Sequence, residues 1–254
     1  MIKSASIFTW LAVSALFVSS VAAQPCLIIT EVVDGDLAGG NPKFVEVTNT
    51  GSTDYTFAAG GIIVQSNGSS DVVVDVDLTG VTIMAGQSYV IQSSANNGQV
   101  QYQNAYMGTD ADLYTPAFFG NGDDGYLLTD MADGSNILDI YGEFGVDGTG
   151  TAWEYTDSYA FRNSNINDGN DGVFVASEWT FGGVAALDAP DDPTRIALLQ
   201  ANTTPKAHVL DMVNPACDPP VPTMSQWGMI VMTILVLTAG TVVFRRSTRT
   251  VAAN

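Results

Sequence analysis

The chain reads as an all-β protein, a sandwich or barrel, because short runs rich in Val, Ile and Tyr alternate with clusters of Gly, Asn, Asp and Ser. Two further observations support that class. No helical hydrophobic period is sustained before the C-terminal tail, and Phe44-Val45-Glu46-Val47 alternates as a half-buried strand should. Many short strands with Gly-rich turns bury a core by layering sheets or by closing one on itself.

In chain order, the first candidate strand is Leu27–Val33, a β-branched run just after Cys26. The turn cluster Gly39-Gly40-Asn41-Pro42 separates it from Phe44–Thr48. Ile62–Gln65 ends at Asn67-Gly68, and Val72–Val76, Ser88–Gln92, Tyr126–Thr129, Ile137–Tyr141 and Ser158–Phe161 complete the set. These strands assign residues 24–187 to one β domain. After Leu187 the character changes: seven of the ten prolines fall between Pro190 and Pro222. Such a stretch favours extended backbone, so 188–220 reads as an acidic tether.

Both ends carry address signals. Lys3, an apolar run from Ile7 to Val21 and small residues before a cleavage point after Ala23 make residues 1–23 a secretory signal peptide. At the other end, Met229–Phe244 is uncharged and apolar, and Trp227-Gly228 lengthens it towards the roughly 20 residues that span a bilayer. Arg245, Arg246 and Arg249 in the 245–254 tail fix its cytoplasmic side, and Trp227 suits the outer interface. The expected protein is therefore exported and held by a single C-terminal transmembrane helix.

Charge narrows the function. All 27 Asp and Glu lie between residues 24 and 226, opposed there only by Lys43, Arg162, Arg195 and Lys206. That surface repels phosphate backbones, which argues against nucleic acid as a partner. The two cysteines, Cys26 and Cys217, flank the domain and suit a disulfide outside the cytoplasm. Closing so long a loop stabilises by about 5 kcal/mol at most.

Catalytic chemistry is poorly supplied. The one histidine, His208, falls inside the expected tether, and no nucleophile elbow, zinc pair or P-loop is present. Calcium is the better-supported ligand: Asp123 and Asp124 within Gly122–Gly125, and Asp168, Asn170 and Asp171 within Asn167–Gly172, offer the oxygen-rich turns that hard cations require. Turn chemistry alone accounts for the same residues. Asp75–Gly80 imitates half an EF-hand loop but ends at Gly86 in place of the bidentate Glu. Trp153, Trp179 and Phe161 suit a sandwich core better than a sugar platform, and Arg162 is expected to pair with an acid.

Two resemblances follow from these residues. Val221-Pro222-Thr223-Met224-Ser225-Gln226-Trp227-Gly228, followed by an apolar run and a basic end, resembles the bacterial IPTL-CTERM sorting tail. Val221, Met224 and Gln226 depart from that motif's usual letters. The resemblance implies a membrane-bound sorting or processing machinery as partner. Asn41–Asn49, Ala85–Ile91, Phe119–Leu128, Ile137–Gly142, Trp153, Arg162 and Glu178-Trp179 are similar, in that order, to bacterial lamin-tail domains. That similarity covers about residues 26–181 and implies an immunoglobulin-like β-sandwich; the family's closing segment is blurred at Phe181-Gly182-Gly183. The expected function is a non-enzymatic cell-surface module for adhesion, envelope or matrix attachment through a surface polymer or protein. A calcium-dependent binding module and an acidic-residue hydrolase are the alternatives.

Overall fold

A computed structural model describes residues 26–118, 120–209, 230–231 and 233–238. The elements are β1 (Leu27–Leu37), β2 (Asn41–Asn49), β3 (Tyr55–Thr56), β4 (Gly61–Gln65), β5 (Val76–Asp77), β6 (Thr82–Ile83), β7 (Ser88–Ser93), α1 (Gly98–Ala105), β8 (Leu113–Thr115), β9 (Gly125–Thr129), β10 (Ile137–Tyr141), β11 (Tyr159–Arg162), β12 (Trp179–Phe181) and α2 (Asp192–Asn202). Six strands form one open sheet in the order β12-β11-β1-β2-β7-β8, and four form a second in the order β10-β9-β4-β5. Neighbours are antiparallel except β7 and β8, which run parallel. β3 and β6 make a separate two-stranded ribbon.

The two sheets enclose one core, as expected of a sandwich. Ile29, Val32, Val45, Val47 and Ile91 of the larger sheet pack with Ile62, Tyr126, Leu128, Leu138 and Tyr141 of the smaller. Trp153, Tyr155 and Trp179 join them, and Tyr141 meets all three edge-on at centroid distances of 6.0, 5.3 and 4.8 Å. The tryptophans therefore belong to the core.

Both sheets are also covered on their outer faces. Val33, Leu37, Phe44 and Val90 lie beneath Tyr102 and Ala105 of α1, Leu199 of α2 and Leu187. Ile63, Leu127 and Ile140 pack with Val74, Ile137 and Phe174 on the other side. Strands covered on both faces read as nearly continuous apolar runs, as β1, β4 and β9 do. β2 corrects the half-buried expectation for 44–47: Glu46 is 0% exposed and lies under protein.

Other differences have local causes. The run expected at Val72–Val76 contracts to β5 because the Asp75 carboxylate accepts the Val64 N–H at 2.7 Å, replacing a ladder carbonyl. Val72 and Val73 are left exposed. The 188–220 tether is overturned in its first part. Asp191 caps α2, its carboxylate accepting the Thr194 N–H at 3.0 Å, and Pro193 occupies the first turn where its missing N–H costs nothing. Amphipathic α2 then buries Leu199 against the larger sheet.

Core and surface should separate cleanly on mutation. Leu128→Ala, at a fully buried site, is expected to cost about 2–5 kcal/mol. Val73→Ala, at an exposed one, should stay within about 0.5 kcal/mol. Urea unfolding followed by tryptophan fluorescence measures both.

Candidate functional site: buried charge on the larger sheet

The first charge cluster joins the two sheets. β11 pairs with β1 only from Glu31 to Val33, so the Ile29 backbone on that side lacks a ladder partner. Side chains replace it: the Asp139 carboxylate on β10 accepts the Ile29 N–H at 2.7 Å, and Arg162 Nε on β11 donates to the Ile29 carbonyl at 3.3 Å. Arg162 Nη2 also donates to that Asp139 carboxylate, and Nη1 donates to Glu178 at 2.6 Å. The guanidinium lies 4.5 Å from the Trp179 ring centroid, a cation–π contact. Arg162 is 1% exposed and Asp139 0%. Burial pushes the Asp139 carboxyl above its ordinary range and Arg162 pulls it back.

The second cluster lies on the helix-covered face. Glu31 and Glu46 are direct cross-strand partners on β1 and β2, and both are buried. A segment running on from α2 covers them. The Thr204 N–H donates to both Glu31 carboxylate oxygens, at 3.0 and 3.1 Å, and the Lys206 N–H donates to Glu46 at 2.6 Å. Thr30 Oγ1 donates to the other Glu46 oxygen at 2.6 Å. The Lys206 ammonium turns away to Asp112 at 2.9 Å. Burial, reinforced by Glu46, holds Glu31 well above the usual carboxylate range, and burial pushes Glu46 up to about 7. Asp34, also buried, is pushed up to about 6 against the pull of its Lys43 partner.

His208 ends the same segment. It does fold back over the sandwich, against the tether expectation, and burial together with the Arg162 charge holds it down at about 4. Among the described residues its Nε2 has no hydrogen-bond partner.

The residues expected to bind calcium divide between two places. Asp123 and Asp124 precede β9 at the end where Tyr126 faces Tyr141, whereas Asp168, Asn170 and Asp171 sit by the Ile137 end of the same ladder. Asp124 accepts the Asn67 and Asn121 N–H groups at 2.8 and 3.2 Å. Asp123 accepts from Asn121 Nδ2 and Thr149 Oγ1 at 3.1 and 2.9 Å. These bonds fasten three loops. Gly122 serves the same turn: at φ +88° it lies where a Cβ would stand 2.2 Å from the Thr156 Cα. Asn170 donates to Glu178 at 2.6 Å, and mutual repulsion with Asp171 adds to the burial that raises Asp168. Among the described residues no group of three or more His, Cys, Asp or Glu is placed to hold a metal. Asp75 and Asp77, from the EF-hand-like stretch, instead brace β4 and the Thr79 turn.

The export and sorting elements are only partly described. Residues 1–23, Val221–Gly228, Cys217 and 245–254 lie outside the described residues, so the Cys26–Cys217 pairing does too. Within the expected 229–244 span, residues 230–231 and 233–238 are helical and exposed; no helix among the described residues is long and apolar enough to cross a membrane.

No family model, curated protein or solved structure matches the chain.

Glu31, Glu46, Asp34 and Asp139 were not singled out from sequence. Their common signal is an acid inside an apolar β run, where an exposed strand face is the simpler reading. For the inter-sheet clamp, Asp139→Ala takes from the buried guanidinium one of its two acids and from the Ile29 N–H its acceptor, and should lower stability by about 3–5 kcal/mol. Combining Asp139→Leu with Arg162→Met removes both charges but leaves the Ile29 N–H and carbonyl unpaired, so only part of that loss should be recovered in the same denaturation assay.

Proposed function

We propose that the chain is an exported, membrane-held surface module that works by contact rather than catalysis. On this reading the sandwich is immunoglobulin-like, of the lamin-tail type, and presents its acidic loops outward in adhesion, envelope or matrix attachment. The single observation that carries the membrane part is the helical residues 230–231 and 233–238. Ile230, Val231, Ile234, Leu235, Val236 and Leu237 are all between 47% and 65% exposed. Apolar side chains exposed to this degree along a helix are stable where hydrocarbon surrounds them. The expected arginine-capped tail continues that segment, and its sorting-type motif precedes it.

The non-catalytic part rests on how the polar side chains are used. Arg162, Asp139, Glu178, Asp123 and Asp124 each serve hydrogen bonds that fix strands or turns. A hydrolytic carboxylate pair instead needs room for a substrate between its members. The partner on this reading is a surface polymer or protein without a phosphate backbone, since the exported stretch is strongly acidic.

Fractionation of cells making the full chain tests the anchor. The unprocessed protein is expected in the membrane pellet after an alkaline wash, and a chain ending at Gln226 in the soluble fraction. Recovery of the intact chain in the cytosol would overturn the proposal. Calcium titration of the domain should leave its melting temperature unchanged; a saturable rise would favour the calcium-dependent module.

A further inference from the structure

The segment from Thr203 to His208 meets the larger sheet chiefly through polar atoms. Thr203 stops α2: its N–H and Oγ1 both donate to the Leu199 carbonyl, at 2.9 and 2.7 Å. Thr203 Oγ1 also lies 2.7 Å from Tyr106 Oη on α1. One and three residues on, at Thr204 and Lys206, the backbone supplies the N–H groups that reach the Glu31–Glu46 pair. Among the described residues no ammonium or guanidinium is ion-paired with either acid, Lys43 being held by Asp34. Lys206 Nζ is spent on Asp112, Arg162 on Asp139 and Glu178, and Arg195 on Asp36 and Asp192. The other titratable groups near the pair are Tyr102 and Tyr106 of α1, and Asp112 ahead of β8, whose charge repels Glu46.

We propose that residues 203–208 form a proton-gated strap, closed over Glu31 and Glu46 when the pair carries a proton and lifted when both carboxyls ionise. Two charges on adjacent strands, sealed from water and without a cation, are costly. Two opposing effects bear on the strap. Ionisation strengthens the Thr204 and Lys206 N–H bonds, which favours closure. Desolvation acts the other way, and it is the largest influence on both acids. Lifting the strap admits water and relieves it.

The sign follows from proton counting. The closed state holds Glu46 at about 7 and Glu31 well above its ordinary value, while an opened strap returns both towards that value of 4.5. The closed state therefore binds more protons, and its advantage is complete below the open-state value. It is lost as pH rises through the closed-state value. His208 lies on the same strap and is held at about 4, so its closed form is neutral. Its contribution fades only on acidification, below the 6.5 of a free histidine.

Hydrogen exchange of the full chain in micelles tests this, read on peptides covering 203–208 and corrected for intrinsic rates. Protection is expected to fall by about tenfold or more from about pH 5.5 to about pH 8.5. Peptides from β9 serve as the internal control. Glu31→Gln with Glu46→Gln should hold the strap closed and abolish the fall, leaving only the small rise up to about pH 6.5 that His208 contributes. Constant protection in the unsubstituted chain would overturn the proposal, and so would an undiminished response in the double variant. Should that variant fail to fold, carbon-13 titration of the native carboxyls decides. Glu31 and Glu46 titrating in the ordinary glutamate range would overturn the strap; an elevated, linked titration that tracks the loss of protection supports it.

Discussion

The Arg162–Asp139 pair constrains the rest of the molecule, because it decides how the two sheets meet. Each partner belongs to a different sheet, and both are tied to the backbone of Ile29 in the central strand β1. Apolar packing between sheets tolerates sliding. A planar guanidinium that must satisfy two acids and a carbonyl while lying on an indole does not. An apolar replacement of similar shape can be as stable as a buried ion pair. What the pair adds here is register: it fixes β10 opposite the place where β11 departs from β1.

The same logic extends to the acids as a class. The chain spends many of its 27 carboxylates within its own structure. Asp75 stands in for a ladder carbonyl, Asp191 caps a helix, and Asp124 fastens two loops. Exposed turn acids such as Asp77, Asp133 and Asp147 accept hydrogen bonds that pull their carboxyls below the usual range. An acidic composition thus reflects turn and cap chemistry as much as surface charge.

Legibility in the sequence follows burial geometry. β1, β2, β4, β7, β9, β10 and β11 were visible because each carries a compact apolar run. β3, β6, β8 and β12 were not, being two or three residues long with nothing to set a period. α1 was hidden behind Asn96 and Asn97, which adopt left-handed backbone and read as a turn. α2 was announced by Asp191, Pro193 and Thr194, but the surrounding prolines suggested extended chain. The aromatic core and the paired state of Arg162 were readable from residue type. The Glu31–Glu46 pair was not, since its cover arrives from 173 and 160 positions downstream, and one strand's pattern cannot reveal what lies over it.

That separation bears on the order of assembly. Ribosomes deliver β1 early, yet its neighbours arrive in three instalments: β2 at once, β11 much later, and the covering strap last of all. Until residue 206 emerges, Glu31 of β1 and Glu46 of β2 lack the backbone N–H groups that cover them. Pairing across such distances pays a large loop-closure cost before any contact rewards it. The last contacts to the acids of β1 and β2 therefore form only after 160 to 173 further residues have joined the chain.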